Sequence, residues 1–243
     1  MAIKTTLNYS PNFNTKKRSI KQIKFIIFHY TGMKKESEAI NRLTNIQSEV
    51  SCHYLIKNNG EIIKMVPESY IAWHVGKSSW KNHKSLNKDS IGIEITNPGH
   101  EFGYKKFSKK QVISLLRLSK YLIKKYKINI RNVLGHSDVA PERKKDPGEK
   151  FPWKYLSQNR VGLWHTIKKY ILLKNRTIII TKIDKEFFFK NLFKIGYSKK
   201  IPKNASKNKH LNCITKAFQR RFRQELINGK IDKECLLISQ NLS

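Results

Sequence analysis

Ile23-Lys24-Phe25-Ile26-Ile27-Phe28-His29 is a nearly continuous apolar run of β-forming residues that stops on a histidine. Such a run fits a strand buried on both faces, as in the interior of an α/β sheet. Working outward, Tyr30-Thr31-Gly32 supplies a loop, and Ala39, Ile40 and Leu43 share one face of a helix expected over Glu36 to Asn45. Ser51 to Val66 predicts a hairpin, because CHYLI and EIIKMV flank Lys57-Asn58-Asn59-Gly60 and Asn-Gly supplies the positive φ of a tight turn. Ile91 to Ile95, IGIEI, is a second buried-strand pattern, interrupted by Glu94 and closed by the turn residues Asn97-Pro98-Gly99-His100. Ser108 to Lys125 predicts a helix capped by Ser108 and Gln111, with Val112, Leu115, Leu116, Ser119, Leu122 and Ile123 on its inner face. Val133-Leu134-Gly135 then leads a strand into His136. Strands alternating with helices make the expected class α/β.

The ends of the chain have a different texture. Residues 1–22 are rich in Asn, Ser, Thr and Lys and predict an extended, mobile N-terminal segment. Residues 23–173 hold the patterns just described, with a further helix expected over Leu163 to Leu173. A basic, β-branched linker is expected at 174–182. Residues 183–243 predict a small three-helix bundle, with helices over Asp184 to Phe193, Cys213 to Leu226 and Asp232 to Leu242.

The 243 residues carry 50 Lys+Arg against 17 Asp+Glu, a formal charge of +33. The excess is spread along the chain rather than gathered in a tail, so an anionic partner and mere compositional drift explain it equally well. Cys52, Cys213 and Cys235 are far apart and odd in number, which implies no disulfide framework, zinc knuckle or redox dithiol. No apolar run is long enough to cross a bilayer, and the N-terminus lacks the apolar core of an export signal.

Ligand-type side chains fall at corresponding places: His29 and His136 at strand ends, Asp146 in the loop after the second. Two imidazoles and a carboxylate can bind zinc and leave a fourth position for water. Histidines at strand ends are also common as hydrogen-bonded structural residues, so spacing alone leaves both readings open. Glu94, a carboxylate in an apolar strand, needs a charged or metal partner.

Taken in order, FIIFHYTG, VSCHYLIKNNGEI, AWHVGKSSW, SIGIEITNPGHE and VLGHSDVAPERKKDPGEKFPW resemble the N-acetylmuramoyl-L-alanine amidase type 2 family, in its AmiD-like branch, from about Ile23 to Tyr155. The resemblance implies a mixed central sheet flanked by helices, as in peptidoglycan recognition proteins. It implies one zinc ion on His29, His136 and Asp146, with water in the fourth position. It also makes Glu94 the residue that assists the attacking water and Lys144, rather than Lys145, the lysine near the developing oxyanion. Trp73 and His74 are expected along the substrate groove, with Asn97, a further substrate-binding candidate, and His100 at its mouth. Asp138 is expected either to support a ligand from behind or to structure the loop. Cys52 precedes His53 where some relatives place a tyrosine near the metal, which puts more of the proton transfer on Glu94.

The implied reaction is hydrolysis of the amide between the lactyl group of N-acetylmuramic acid and L-alanine, in peptidoglycan or anhydro-muropeptides. FFKNLFKIGY, ITKAFQRRFR and GKIDKECLLIS resemble a small peptidoglycan-binding domain, through a match interrupted by the lysine-rich SKKIPKNASKNKH. A monomer is expected, acting in the cell envelope, with cytoplasmic muropeptide recycling as the alternative. Competing readings are a peptidoglycan recognition protein without catalysis and, from charge alone, a nucleic-acid-binding protein. Asp146, Glu94 and Lys144 speak against the first, only the charge motivates the second, and no nucleic-acid partner is expected.

Overall fold

Alternate residues of the opening run go to opposite sides of a sheet, as a pleated strand requires. Phe25 and Ile27 enter one buried apolar cluster. Ile26 and Phe28 enter another. The computed structural model in which this is seen describes residues 3–203 and 205–243. Met1, Ala2 and Asn204, at the start of the expected leading segment and within the expected bundle, lie outside the described residues.

The strands are β1 (Thr6–Leu7), β2 (Phe13–Asn14), β3 (Phe25–Tyr30), β4 (Tyr54–Ile56), β5 (Ile62–Lys64), β6 (Ile71–Ala72), β7 (Ser79–Trp80), β8 (His83–Lys84), β9 (Ser90–Ile95) and β10 (Val133–Gly135). The helices are α1 (Glu36–Thr44), α2 (Lys109–Tyr126), α3 (His136–Val139), α4 (Trp153–Gln158), α5 (Lys169–Asn175), α6 (Lys182–Ile195), α7 (Lys207–Phe222) and α8 (Lys233–Leu242). Six strands form one mixed sheet in the order β1-β5-β4-β9-β3-β10. Only the β4–β5 hairpin is antiparallel among these pairs. In the parallel centre, His29 lies opposite Glu94, and Gly135, which precedes His136, lies opposite Phe28.

One face of the sheet packs on α2 through Leu115, Leu118 and Leu122, against Ile26, Phe28, Ile91 and Ile93. Ser108 caps α2 as its sequence predicts, accepting from the Gln111 amide at 3.2 Å and donating its own amide to Gln111 Oε1 at 2.9 Å. The inner face includes Leu118, while Leu116 is only partly buried, because the helix is rotated slightly from the expected stripe.

The other face meets the C-terminal helices. Phe188, Leu192, Ile214, Phe218 and Phe222 belong to the same buried cluster as Phe25, Ile27 and Leu134. Ile180, within the expected linker, is also buried in that cluster. The apolar core therefore runs across residues 174–182. Helix α7 starts six residues before the expected Cys213, with Ser206 Oγ accepting from the Lys209 amide at 3.3 Å. The helix expected over Leu163 to Leu173 is confined to α5, farther along the chain.

The leading segment is extended but, contrary to expectation, tied down. β1 adds to the sheet edge, β2 pairs with β6, and the buried Arg18 donates to the carbonyls of Glu68, Asn87, Lys88 and Ser90 at 2.7–3.1 Å. Expected mobility is lost because those carbonyls satisfy the guanidinium where water cannot.

Glu68 joins three elements. Its carboxylate accepts from Tyr54 Oη on β4 at 2.5 Å, Lys64 Nζ on β5 at 2.9 Å and Lys125 Nζ on α2 at 3.2 Å. Burial acts to raise its pKa, but the hydrogen bonds from Tyr54 and Lys64 outweigh burial and hold it at about 2, below the ordinary 4.5. A depressed acid contributes stability that is complete above its unfolded pKa and is lost as pH falls through the folded one. Glu68→Gln should therefore lower the unfolding free energy by about 2 kcal/mol near neutrality. The gap from wild type should shrink as pH falls from about 5 toward 2. Urea denaturation at stepped pH measures it, and a gap independent of pH would remove the ionised carboxylate from this role.

Candidate metal centre and active site

His29 and His136 arrive side by side because parallel strands β3 and β10 end at the same edge, the usual place for a crevice in an α/β sheet. The loop after α3 returns Asp146 to them, fastened by the Ser137 amide donating to the Asp146 carbonyl at 2.8 Å. His29 Nδ1, His136 Nδ1 and Asp146 Oδ2 form a triangle with each edge 3.0 Å. All three residues are buried.

The hydrogen bonds behind the triangle fix which nitrogen is bare. His136 Nε2 lies 3.2 Å from the Val75 carbonyl, to which only a protonated Nε2 can donate, so in the neutral ring Nδ1 presents a lone pair. Behind His29 runs a longer chain. Ser90 Oγ donates to the Leu86 carbonyl at 2.6 Å and accepts from His74 Nε2 at 3.1 Å. His74 Nδ1 then accepts from His29 Nε2 at 3.0 Å, which leaves His29 Nδ1 bare as well. His74 also reaches the wall of the cleft, but its ring is spent on His29. Gly92 makes room for that ring, since a Cβ there would come within 2.5 Å of it.

Three lone pairs facing one another without a cation repel. Burial, then the neighbouring His136, pushes His29 down to about 4, so His29 brings no proton of its own to the gap at neutral pH. For Asp146, burial acts upward but is outweighed by His136 and His29, which hold its carboxyl far below the usual carboxylate range. A small tetrahedral ion with ligand bonds of about 2.0–2.1 Å has ligand–ligand edges of roughly 3.3 Å. Edges of 3.0 Å and a donor set of two imidazoles with one carboxylate fit such an ion.

Glu94 sits beside His29 across the β3–β9 pair. Its Oε2 is buried without a hydrogen-bond partner. Burial first, then the charge of Asp146, raises its pKa to about 8, with Lys144 pulling the other way. An unsatisfied buried carboxylate oxygen at a cleft is what proton transfer uses and packing avoids.

These groups line a cavity of about 410 Å³ that also includes Tyr30, Trp73, His100, Lys144 and Lys145. The charge of Lys144 acts on both Glu94 and His29. Trp73 lines the cavity and donates Nε1 to Asn14 at 2.6 Å. Asn97 lies outside the cavity lining: it is buried, donates Nδ2 to the Lys105 carbonyl at 2.8 Å and accepts from the Gly99 amide at 3.1 Å, so it holds the turn after β9. His100 bridges Tyr30 Oη and Glu149 at the cleft edge, at 2.9 and 3.0 Å. Cys52 is fully buried beneath Glu94, where burial raises its thiol pKa well above normal. Asp138 accepts from the Gly135 amide at 2.8 Å and faces the C-terminal helices. Sequence reading missed Tyr30, whose position directly after His29 was the available signal.

Residues 19–149, more than half of the chain, match the N-acetylmuramoyl-L-alanine amidase family. The chain is 34% identical over 233 residues to N-acetylmuramoyl-L-alanine amidase AmiD of Escherichia coli, covering 91% of this chain and 82% of that protein. It is 38% identical over 113 residues to 1,6-anhydro-N-acetylmuramyl-L-alanine amidase AmpD of Haemophilus influenzae, covering 46% of this chain and 59% of that one. The solved complex of E. coli AmiD with anhydro-N-acetylmuramic acid-L-Ala-D-γ-Glu-L-Lys superposes with a TM-score of 0.78 at 31% identity, covering 94% of this chain and 91% of that one. AmpDh3 of Pseudomonas aeruginosa in complex with an anhydromuramic pentapeptide also gives 0.78, at 28% identity and 98% and 97% coverage. With its sheet, its helices and most of its length shared in this way, the chain belongs to the N-acetylmuramoyl-L-alanine amidase family.

Proposed function

We propose that this protein is a zinc-dependent amidase that cleaves the bond between the lactyl group of N-acetylmuramic acid and L-alanine. The observation that carries the reading is the 3.0 Å triangle of His29, His136 and Asp146, set beside the orphaned Oε2 of Glu94. The relatives solved with anhydromuramyl peptides support a muropeptide as the substrate class.

When bound, zinc supplies Lewis-acid polarisation of the amide carbonyl and lowers the pKa of a water to about 7. Glu94 takes the proton of the attacking water and hands it to the nitrogen that leaves as the L-alanine amine, a transfer that suits a carboxyl whose pKa is raised toward neutrality. Lys144 stabilises the carbonyl oxygen as it gains charge. Trp73 and His100 border the groove in which the sugar and stem peptide lie. His74 orients His29 rather than touching substrate. A recognition protein without catalysis would have no use for the unsatisfied Glu94. Among the described residues no helix is long and apolar enough to cross a membrane. The substrate class favours work in the cell envelope.

Zinc-loaded protein should release stem peptides from sacculi and from anhydro-muropeptides, seen as L-alanine amino termini by mass analysis. Chelation should abolish release and zinc should restore it; release at the same rate after chelation would sink the metal mechanism. Glu94→Gln should keep its zinc while kcat falls about 10²–10⁴-fold, and near-normal turnover would take Glu94 out of the reaction. His74→Phe should weaken zinc binding by about 10–100-fold in a chelator competition, an effect that a purely substrate-binding His74 would not show.

A further inference from the structure

Arg221 lies on α7, remote in sequence from the metal centre, yet its guanidinium reaches the strand end that carries His136. Nη1 donates to Asp138 Oδ2 at 2.6 Å and Nη2 to the Val133 carbonyl at 3.0 Å. It therefore spans the backbone from Val133 to Asp138, with Gly135 and His136 in between. The same Asp138 Oδ2 accepts from the Gly135 amide at 2.8 Å, and Tyr197 Oη donates to Oδ1 at 2.9 Å. The guanidinium is stacked 4.2 Å from the Trp153 ring centre and 4.9 Å from that of Phe222. The Arg221 and Asp138 side chains are almost fully buried, 3% and 1% exposed.

We propose that Arg221 is a positioning residue for the metal site: through Asp138, the C-terminal helices set the direction in which His136 leaves its strand. This rests on the assignment of His29, His136 and Asp146 as ligands. Adhesion between bundle and sheet does not require the pair, since Phe25, Ile27 and Leu134 already share a buried cluster with Phe188, Phe218 and Phe222. Buried ion pairs are poor adhesives relative to apolar contacts of the same size. What this pair adds is direction. A planar fork that bonds a carboxylate and a carbonyl at once fixes both ends of a short segment, which a lysine's point charge cannot do. The tolerance for such a ligand is about 0.5 Å. A Cβ on Gly135 would meet Pro147 Cδ at 2.6 Å, so the segment also has little room to relax.

Arg223 provides the control. It is equally buried and pairs with Asp232, but its bonds to Asp232, the Leu226 carbonyl and Asn228 stay among the C-terminal helices and their connections. The experiment measures zinc affinity by chelator competition, thermal unfolding, and kcat and KM on an anhydro-muropeptide, in the full chain. Arg221→Met should weaken zinc binding about 10–100-fold and lower kcat with KM nearly unchanged, and Arg221→Lys should recover little of the loss. Arg223→Met should lower Tm to a similar extent and leave zinc affinity within about twofold, since it touches no outer partner of a ligand. Tyr197→Phe removes one hydrogen bond and no charge, and should weaken zinc binding measurably at near wild-type Tm. Equal effects of Arg221→Met and Arg223→Met on zinc affinity would reduce Arg221 to a structural role. If Arg221→Met does not fold, unchanged zinc affinity in Tyr197→Phe overturns the proposal. His136→Ala tests the ligand set separately: if it binds zinc as wild type does, the ligand assignment fails and takes the proposal with it.

Discussion

Three lone pairs held 3.0 Å apart in a buried site are the constraint on which the rest of this structure depends. Left to itself such a triangle opens, because bare nitrogens and a carboxylate oxygen repel and each loses its water on burial. The fold holds it closed from behind. His136 is fixed by the Val75 carbonyl, and His29 by a relay through His74 and Ser90 to the Leu86 carbonyl. Val75 and His74 come from the same short segment, whose two amides both donate to Asn87 Oδ1. One loop thus sets the tautomer of both imidazoles.

Parallel strands make that economy feasible. β9, β3 and β10 run the same way, so Glu94, His29 and His136 emerge at one edge of the sheet. Along β3, Phe25 and Ile27 face the C-terminal helices while Ile26 and Phe28 face the cluster that holds α2. By the same alternation His29 continues the first of these faces, and Glu94 continues the face of Gly92. The helices that complete the core on that side therefore also close the back of the site. Buried charges such as Asp138 and Arg221 are expensive away from water, and they occur where the peptide direction must be set.

Much of this was legible in the sequence, for physical reasons that differ by residue. The run Ile23 to His29 announced a strand buried on both faces because no polar residue relieves it after Lys24. Ser108 and Gln111 announced the start of α2 because a capping box is a local interaction. The triangle became legible only through ordered blocks resembling a family, since its three members are brought together by strand pairing, which leaves no spacing rule. What stayed hidden was tertiary. The start of α7 in the lysine-rich segment before Cys213 looked like a loop, because lysine on a solvated face carries little period. Arg18 looked mobile, because four backbone carbonyls that hold it belong to distant segments. Asn97, a polar residue beside a strand end, resembled a groove residue, but its amide satisfies a turn.

A net charge of +33 on the chain and a candidate cation site at its centre pull against each other, and distance resolves the difficulty. At physiological ionic strength, exposed charges farther away than about 8 Å are largely screened. Asp146 acts on a cation at the triangle from direct contact, where a unit charge at an effective dielectric of about 20 is worth several kcal/mol. The site is therefore governed by its own carboxylates, not by the surface. The surface acts on larger partners. Lys77, Lys81, Lys84, Lys199 and Lys200 border a second cavity of about 990 Å³ between the β7–β8 hairpin and the α6–α7 connection. Arg143 lines both that cavity and the metal cleft. A field of this sign attracts anionic partners and weakens with salt. The same chain thus separates two electrostatic tasks by length scale: short-range anions suit the triangle to a cation, and long-range cations favour anionic partners.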